Sequence, residues 1–308
     1  MTIPPLGSGH PVLAFDIGGT DIKSALFDAD GTALSLTRTP TPEPGENIAE
    51  RVIDEVARLA DDLRTAHPTI QPWAAGLVVA GLVDAANGIG IFSSNLGWRD
   101  APLKRMAAEQ LALPIAFDHD VRAAAWAEHE LGGAHGYDGA VVLIIGTGIS
   151  GAIFVDGRPY AAGGWAGEFG HSPVADGPVC ACGARGCLEA VASAGAIVRG
   201  YAERTGETPD GAEDVIARAT SGDTAAREIW DAALDALTLS LAQITASLAP
   251  EAIVIGGGLS RAGAGLFDEL TTRLDARLSF HRRPAILPAR LQGDAGVLGA
   301  ALRAREVA

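Results

Sequence analysis

Short apolar runs, several closed by glycine-rich turns, alternate along the chain with longer stretches whose apolar residues recur every three or four positions. Val12 to Asp16 is the first run and ends in Asp16-Ile-Gly-Gly-Thr20. Ile22 to Phe27 reads as a second strand, with Asp28-Ala-Asp-Gly31 as its hairpin turn. Between Glu46 and Ala66 the residues Ile48, Val52, Val56, Leu59 and Leu63 share one helix face. Pro68 and Pro72 close that region before a strand from Ala74 to Val79. Ile115 to Phe117 reads as a strand end, Val121 to Leu131 as an alanine-rich helix, and Val141 to Ile145 as a buried strand entering Gly146-Thr-Gly148. Ile153 to Val155 with Asp156-Gly157 makes the next strand and turn. A long helix is expected over Asp223 to Ala249, a strand from Ala252 to Ile255 into Gly256-Gly-Gly258, and a last helix from Ala295 to Arg305. Strand and helix patterns in alternation predict an α/β protein.

The pattern repeats. At a shift of 128 residues, the distance from Gly18 to Gly146, Gly18-Gly19-Thr20 falls on Gly146-Thr147-Gly148. At the same shift Ala25 to Asp28 falls on Ile153 to Asp156. Strand, Gly/Thr turn and strand thus occur twice, which predicts an internal duplication and two similar lobes facing a cleft. Length agrees, since 308 residues exceed the usual size of one compact core. The formal charge of −15 opposes binding to a nucleic-acid backbone. No apolar run approaches the roughly 20 residues needed to span a bilayer. The first residues, MTIPPLGSGHP, lack the regions of a signal peptide, so a cytoplasmic protein is expected.

All three cysteines, Cys180, Cys182 and Cys187, lie close together, with His171 shortly before them and Glu168 and Glu189 on either side. Three thiolates and an imidazole suffice for the tetrahedral shell of Zn²⁺, which leaves the two carboxylates for other work. A disulfide would strand one thiol, and the Cys180–Cys182 spacing is too short for an easy bridge. A redox cycle of that pair is the minor alternative. Gly177, Gly183 and Gly186 suit a tight knuckle round a metal.

Three glycine turns follow strands: Gly18-Gly19-Thr20, Gly146-Thr147-Gly148 and Gly256-Gly257-Gly258. Each alone reads as an ordinary tight turn. Three after buried strands, two of them related by duplication, point to backbone N–H groups cradling phosphates. A Walker lysine motif and a GxGxxG opening a helix are both absent. Asp118 and Asp120 stand where a strand gives way to a helix. Either residue would serve as a helix cap, or Asp120 as the carboxylate that takes a proton from an attacking hydroxyl.

Together these segments resemble the ROK family of bacterial sugar kinases and related repressors over about residues 11 to 304. DIGGT at 16–20, NLGW at 95–98, HDVRAAAWAE at 119–128, GTG at 146–148, GEFGH at 167–171 and CACGARGCLE at 180–189 match family signatures in order. The resemblance implies an α/β, actin-like (hexokinase-like) ATPase fold with two RNase-H-like lobes around a cleft. The lobes are expected as 1–118 plus 294–308, and 119–293 with a zinc loop at 171–187. The implied activity moves the γ-phosphoryl of ATP to the 6-hydroxyl of a hexose. Glucose is the first expectation, an N-acetylglucosamine or N-acetylmannosamine acceptor the alternative, and a non-catalytic sugar sensor the alternative of another class. A cytoplasmic homodimer or higher homo-oligomer is implied, without nucleic acid or membrane as partner.

By position, the resemblance makes Asp120 the general base. It makes Asn95, His119, Asp120, Glu168, His171 and Glu189 sugar contacts. Asp16 would hold Mg²⁺ through water, Gly18, Gly19, Thr20, Gly146, Thr147 and Gly148 would face phosphates, and Gly256, Gly257 and Gly258 the adenosine. His171, Cys180, Cys182 and Cys187 match the family's zinc ligands, so His171 would bind zinc by one ring nitrogen and sugar by the other, or zinc alone. The sequence departs from the family in carrying His119 where Asn usually precedes the base, Arg122 where Asn often stands, and Asp21 for a frequent Lys. His119 leaves the sugar open, either by touching it or by turning away as a packing histidine.

Overall fold

The structure, a computed structural model, describes residues 3–93 and 95–308. Met1, Thr2 and Ser94, which the expected first lobe includes, lie outside the described residues. The chain forms two compact units, Met1–Leu131 with Gly293–Ala308, and Gly132–Gln292. In order, the first contains β1 (Val12–Ile17), β2 (Asp21–Phe27), β3 (Ala33–Pro40), α1 (Ile48–Ala66), β4 (Ala74–Val79) and the short strands β5 (Leu82–Asp84), β6 (Ile89–Phe92) and β7 (Arg99–Ala101). It continues with α2 (Leu103–Leu111), β8 (Ile115–His119) and α3 (Asp120–Leu131). The second contains β9 (Ala140–Ile145), β10 (Ile149–Val155), β11 (Arg158–Tyr160), α4 (Leu188–Ala192), α5 (Ala194–Thr205), α6 (Ala212–Thr220), α7 (Thr224–Leu248), β12 (Ala252–Gly256), α8 (Ala264–Arg277) and β13 (Ala285–Pro288). The chain then returns to the first unit as α9 (Ala295–Glu306).

The two main sheets share one plan. Their orders are β3-β2-β1-β4-β8 and β11-β10-β9-β12-β13, each an antiparallel hairpin pair followed by parallel strands. β9 and β10 begin where the 128-residue shift from β1 and β2 places them. The second turn is tighter, because Ile145 pairs with Ile149 whereas Ile17 pairs with Ile22. The turn of DIGGT therefore holds one residue more than that of GTG.

Both faces of β1 and β4 are covered, so every residue in them is buried and they read as apolar runs, broken in β1 only by Asp16. Leu13, Phe15 and Ile17 pack against Val52, Val56 and Leu59 of α1 and Leu103 of α2. The opposite face receives α9, which also packs on α3. That approach is at backbone distance. A Cβ on Gly76 of β4 would overlap the Ala300 carbonyl, and one on Gly299 would overlap the Ala123 carbonyl. Gly76→Ala is accordingly expected to destabilise the protein by about 2–3 kcal/mol in chemical denaturation, since backbone must move. Stability within about 0.5 kcal/mol of wild type would mean that α9 does not seat there. In the second unit, Val141, Leu143 and Ile145 of β9 pack with Trp230, Leu234, Leu237 and Leu241 of α7 and with Leu266 and Leu270 of α8.

α3 belongs to the first unit through its packing on α9. Among the described residues no helix is long and apolar enough to cross a membrane.

Candidate active site

In the first unit the candidate residues gather at the carboxyl ends of β1 and β8, the edge at which open α/β sheets hold ligands. The DIGGT turn closes through the Gly18 N–H donating to the Asp21 carbonyl at 3.0 Å. Thr41 pins it from outside, its hydroxyl donating to the Gly18 carbonyl at 2.8 Å and its N–H to the Thr20 carbonyl at 3.0 Å. The N–H groups of Gly19 and Thr20 find no protein acceptor among the described residues, as a phosphate cradle requires. Asn95 lies against this turn, its Cβ only 3.0 Å from where a side chain on Gly19 would begin.

Asp16 is buried at the end of β1. Its cross-strand partner is Lys23, whose Nζ lies 3.2 Å from Oδ2. Burial raises the Asp16 carboxyl above its ordinary range, an effect that Lys23 opposes. A side chain at Gly296, in the first turn of α9, would collide with this carboxylate. Glycine there lets the helix start directly over Asp16.

Asp118 and Asp120 divide their work. The Asp118 Oδ1 accepts from Arg122 Nη2 at 2.8 Å, from Arg122 Nε at 2.9 Å and from the His119 N–H at 2.7 Å, while Oδ2 pairs with Arg303 Nε at 3.2 Å. It therefore ties β8 to α3 and α9, and Arg122 has a structural partner. Asp120 opens α3. Its Oδ1 accepts the Val121 N–H at 2.7 Å, which His119 Nδ1 shares at 3.2 Å, and Oδ2 takes no hydrogen bond from the described residues. Burial pushes the Asp120 carboxyl up to about 6, against the opposing pull of the backbone N–H groups, Lys23 and Arg122. An oxygen without a partner among the described residues and an affinity for protons near neutrality suit a general base.

In the second unit the other two glycine turns are neighbours. Gly146 donates to the Gly148 carbonyl at 2.9 Å, which leaves the N–H groups of Thr147 and Gly148 without a protein acceptor among the described residues. Gly257 adopts φ +81° and lies so close to the Ile145 carbonyl that no side chain would fit. The exits of the parallel strands β9 and β12 thus sit side by side, with Gly256, Gly257 and Gly258 beside Gly146, Thr147 and Gly148.

The cysteine segment folds as a knuckle. Small bridges pair Pro173 with Cys187 and Val179 with Arg185, and the Cys180 N–H donates to the Ala184 carbonyl at 2.7 Å. Gly183 and Gly186 both take positive φ, at +91° and +66°. The ligand atoms of His171, Cys180, Cys182 and Cys187 converge within 4.8 Å of one another, with Cys180 Sγ 3.6 Å from His171 Nδ1. All three thiols are free, and Cys182 Sγ and Cys187 Sγ stand 3.7 Å apart, well beyond a disulfide bond. Three soft thiolates and one imidazole are the donor set of a tetrahedral zinc site, so these residues fit that ion. Glu168 precedes the 3-10 turn Phe169–His171 and is exposed, while Glu189 lies in the first turn of α4. The Glu189 Oε2 accepts the Ile149 N–H at 2.8 Å, a contact with the Gly146–Gly148 turn that the sequence did not suggest.

Sequence reasoning also passed over Lys23, Thr41 and Gly296. A signal for Lys23 existed, because the DIGGT hairpin fixes it as the partner of Asp16. Thr41 and Gly296 act across long sequence separations and carried none.

Known proteins resemble this chain over nearly its whole length. A family model described as "ROK family" matches residues 12–307. The glucokinase of Streptomyces coelicolor is 33% identical over 322 aligned positions, which cover 96% of this chain and 97% of that protein. The solved structure of a ROK hexokinase from Thermus thermophilus superposes with a TM-score of 0.84 at 32% identity, covering 96% of this chain and 97% of that one. That of a ROK family glucokinase from Streptomyces griseus, in complex with glucose and AMPPNP, does so with a TM-score of 0.78 at 30% identity. The match covers 96% of this chain and 99% of that one.

Proposed function

The chain belongs to the ROK family and has its hexokinase-like α/β fold, and we propose that it transfers the γ-phosphoryl of ATP to the 6-hydroxyl of a hexose, with glucose as acceptor. The observation that carries the reading is Asp120: a carboxylate at the edge of the sheet, raised to about 6, with Oδ2 unpartnered among the described residues. In this reading Oδ2 takes the proton of the attacking hydroxyl as its oxygen bonds to the γ-phosphorus and the bond from that phosphorus to the bridging oxygen breaks, releasing ADP. Asn95, His119, Glu168, His171 and Glu189 would hold sugar hydroxyls by directional bonds. The N–H groups of the DIGGT and GTG turns receive donor phosphates, and the Gly256–Gly258 turn the adenosine. Asp16 would hold Mg²⁺ through water, and that ion would supply positive charge against the phosphates.

His171, Cys180, Cys182 and Cys187 would hold zinc. With all four positions filled by protein, the ion would fix the loop's shape and leave no site open for chemistry. Zinc on His171 Nδ1 would leave the other ring nitrogen as an N–H donor toward sugar. A cytoplasmic homodimer completes the proposal.

An N-acetylhexosamine acceptor is the second reading, favoured by His119, which stands beside the base where the family usually carries Asn. An assay of ADP release with Mg·ATP and glucose, N-acetylglucosamine, N-acetylmannosamine, mannose or fructose decides between the two. Glucose is expected to give the highest kcat/KM, and absence of turnover with every sugar would end the kinase reading in favour of a sugar sensor. The base must be ionised to act. For the best substrate, kcat/KM is therefore expected to climb tenfold per pH unit below about 6 and to level off above it. A flat profile down to about pH 5 would remove Asp120 from the role.

A further inference from the structure

The Glu189 carboxylate faces two ways. Its Oε2 holds the Ile149 N–H at 2.8 Å, where the Gly146–Gly148 turn enters β10. Its Oε1 has no protein donor among the described residues. Gly148 is what admits the carboxylate: a Cβ there would lie 2.5 Å from Oε2, and the three atoms nearest to it all belong to the Glu189 carboxyl group. The turn therefore carries two open N–H groups, Thr147 and Gly148, and the residue after it hangs on the acid. Glu189 also stands two residues beyond Cys187, whose thiol is buried in the knuckle. It is fixed from that side as well.

We propose that Glu189 couples the acceptor sugar to the phosphate donor, Oε2 positioning the Gly146–Gly148 turn while Oε1 accepts a sugar hydroxyl. The proposal rests on the kinase reading given above. A sugar hydroxyl on Oε1 orients the carboxylate and so orders Ile149 and the turn whose N–H groups receive phosphate. A nucleotide that orders the turn equally fixes Oε2 and presents Oε1 to sugar. The linkage is reciprocal, because each ligand must change the affinity of the other by the same factor. The carboxylate acts here by positioning and exchanges no proton.

Calorimetry of a non-hydrolysable ATP analogue with Mg²⁺, with and without saturating glucose, measures the factor directly and needs no turnover. Wild-type protein is expected to bind the analogue about tenfold more tightly when glucose is present. Gly148→Ala moves the carboxylate and leaves it in the protein, and Gly148 does not take positive φ, so the backbone accepts alanine. Glu189→Asp is too short to reach both partners. In both variants the factor is expected to fall to within about twofold of unity. Thr147→Ala, which removes a hydroxyl from the same turn, is expected to weaken the analogue by the same ratio with and without glucose and to keep the tenfold factor. A wild-type factor of one, or a factor near ten in Gly148→Ala and Glu189→Asp, would overturn the proposal. Failure of glucose and of each N-acetylhexosamine to bind in the absence of nucleotide is a separate outcome, which removes the kinase reading and the proposal with it.

Discussion

Asp120→Asn is expected to lower kcat by about 10²–10⁴-fold with the fold intact, the range set by loss of a positioned general base. The substitution is nearly isosteric. The asparagine carbonyl can still accept the Val121 N–H that Oδ1 accepts at 2.7 Å, so the start of α3 keeps its hydrogen bond. Sugar affinity should change little, because only proton acceptance is lost.

The same variant carries a thermodynamic signature. A carboxyl raised from 3.8 to about 6 on folding destabilises the native state wherever it is ionised. That cost is fully present above the folded value, declines as pH falls through it, and vanishes below the unfolded value. The amide that replaces the carboxyl never ionises, so the variant should melt higher than wild type at pH 7, with an advantage that shrinks between about pH 6 and pH 4. Kinetics together with melting curves across that window check both parts. Wild-type turnover, or a melting difference that grows on acidification, would contradict the assignment.

Disrupting the knuckle should produce the second large effect. Protein purified without added metal is expected to contain about one zinc per chain, and Cys187→Ser close to none. Cys187 is fully buried, and burial with the neighbouring thiols pushes its thiol up to about 12 when no cation is present. A metal must therefore displace its proton, so zinc uptake releases acid and weakens as pH falls. Glu189 follows Cys187 by two residues and Glu168 precedes His171 by three, so both proposed sugar contacts depend on the knuckle's shape. Misplacement by about 1 Å is enough to cost 10²-fold, and the sugar KM of Cys187→Ser is expected to rise by at least that amount. Full activity in metal-free protein would refute the zinc assignment.

The parts of the fold that showed in the sequence are those buried on both faces. β4, β9 and β12 are uninterrupted apolar runs, β1 is broken only by Asp16, and α1 carries an apolar stripe at helical spacing. β3 did not show because it is a half-exposed strand of mixed composition, and β13 because it is an edge strand of four residues that ends in Pro288. α5 and α6 were also passed over: one begins at Ser193 within the run that follows the cysteines, and the other lies between turn-rich segments. At the site, the sequence marked residues that cluster locally, such as the four knuckle ligands and the glycine turns. Pairings made by helix packing or across long separations were invisible. Arg303 reaches Asp118 from the last helix, and Glu189 reaches Ile149 from the far end of the knuckle. Each is a contact between residues that no short motif holds together.

The seating of α9 on Gly76 and against Ala123 has a consequence for how the protein is made. Residues 295–306 leave the ribosome after everything else they pack against. Until then the face of β1 and β4 that α9 covers lacks that helix, and α3 meets it only at β4 among the contacts described. The unit formed by Gly132–Gln292 is complete before that moment and can fold while its neighbour waits. The half-finished first unit is thus the stage most exposed to aggregation, and the one at which a chaperone would find its binding surface.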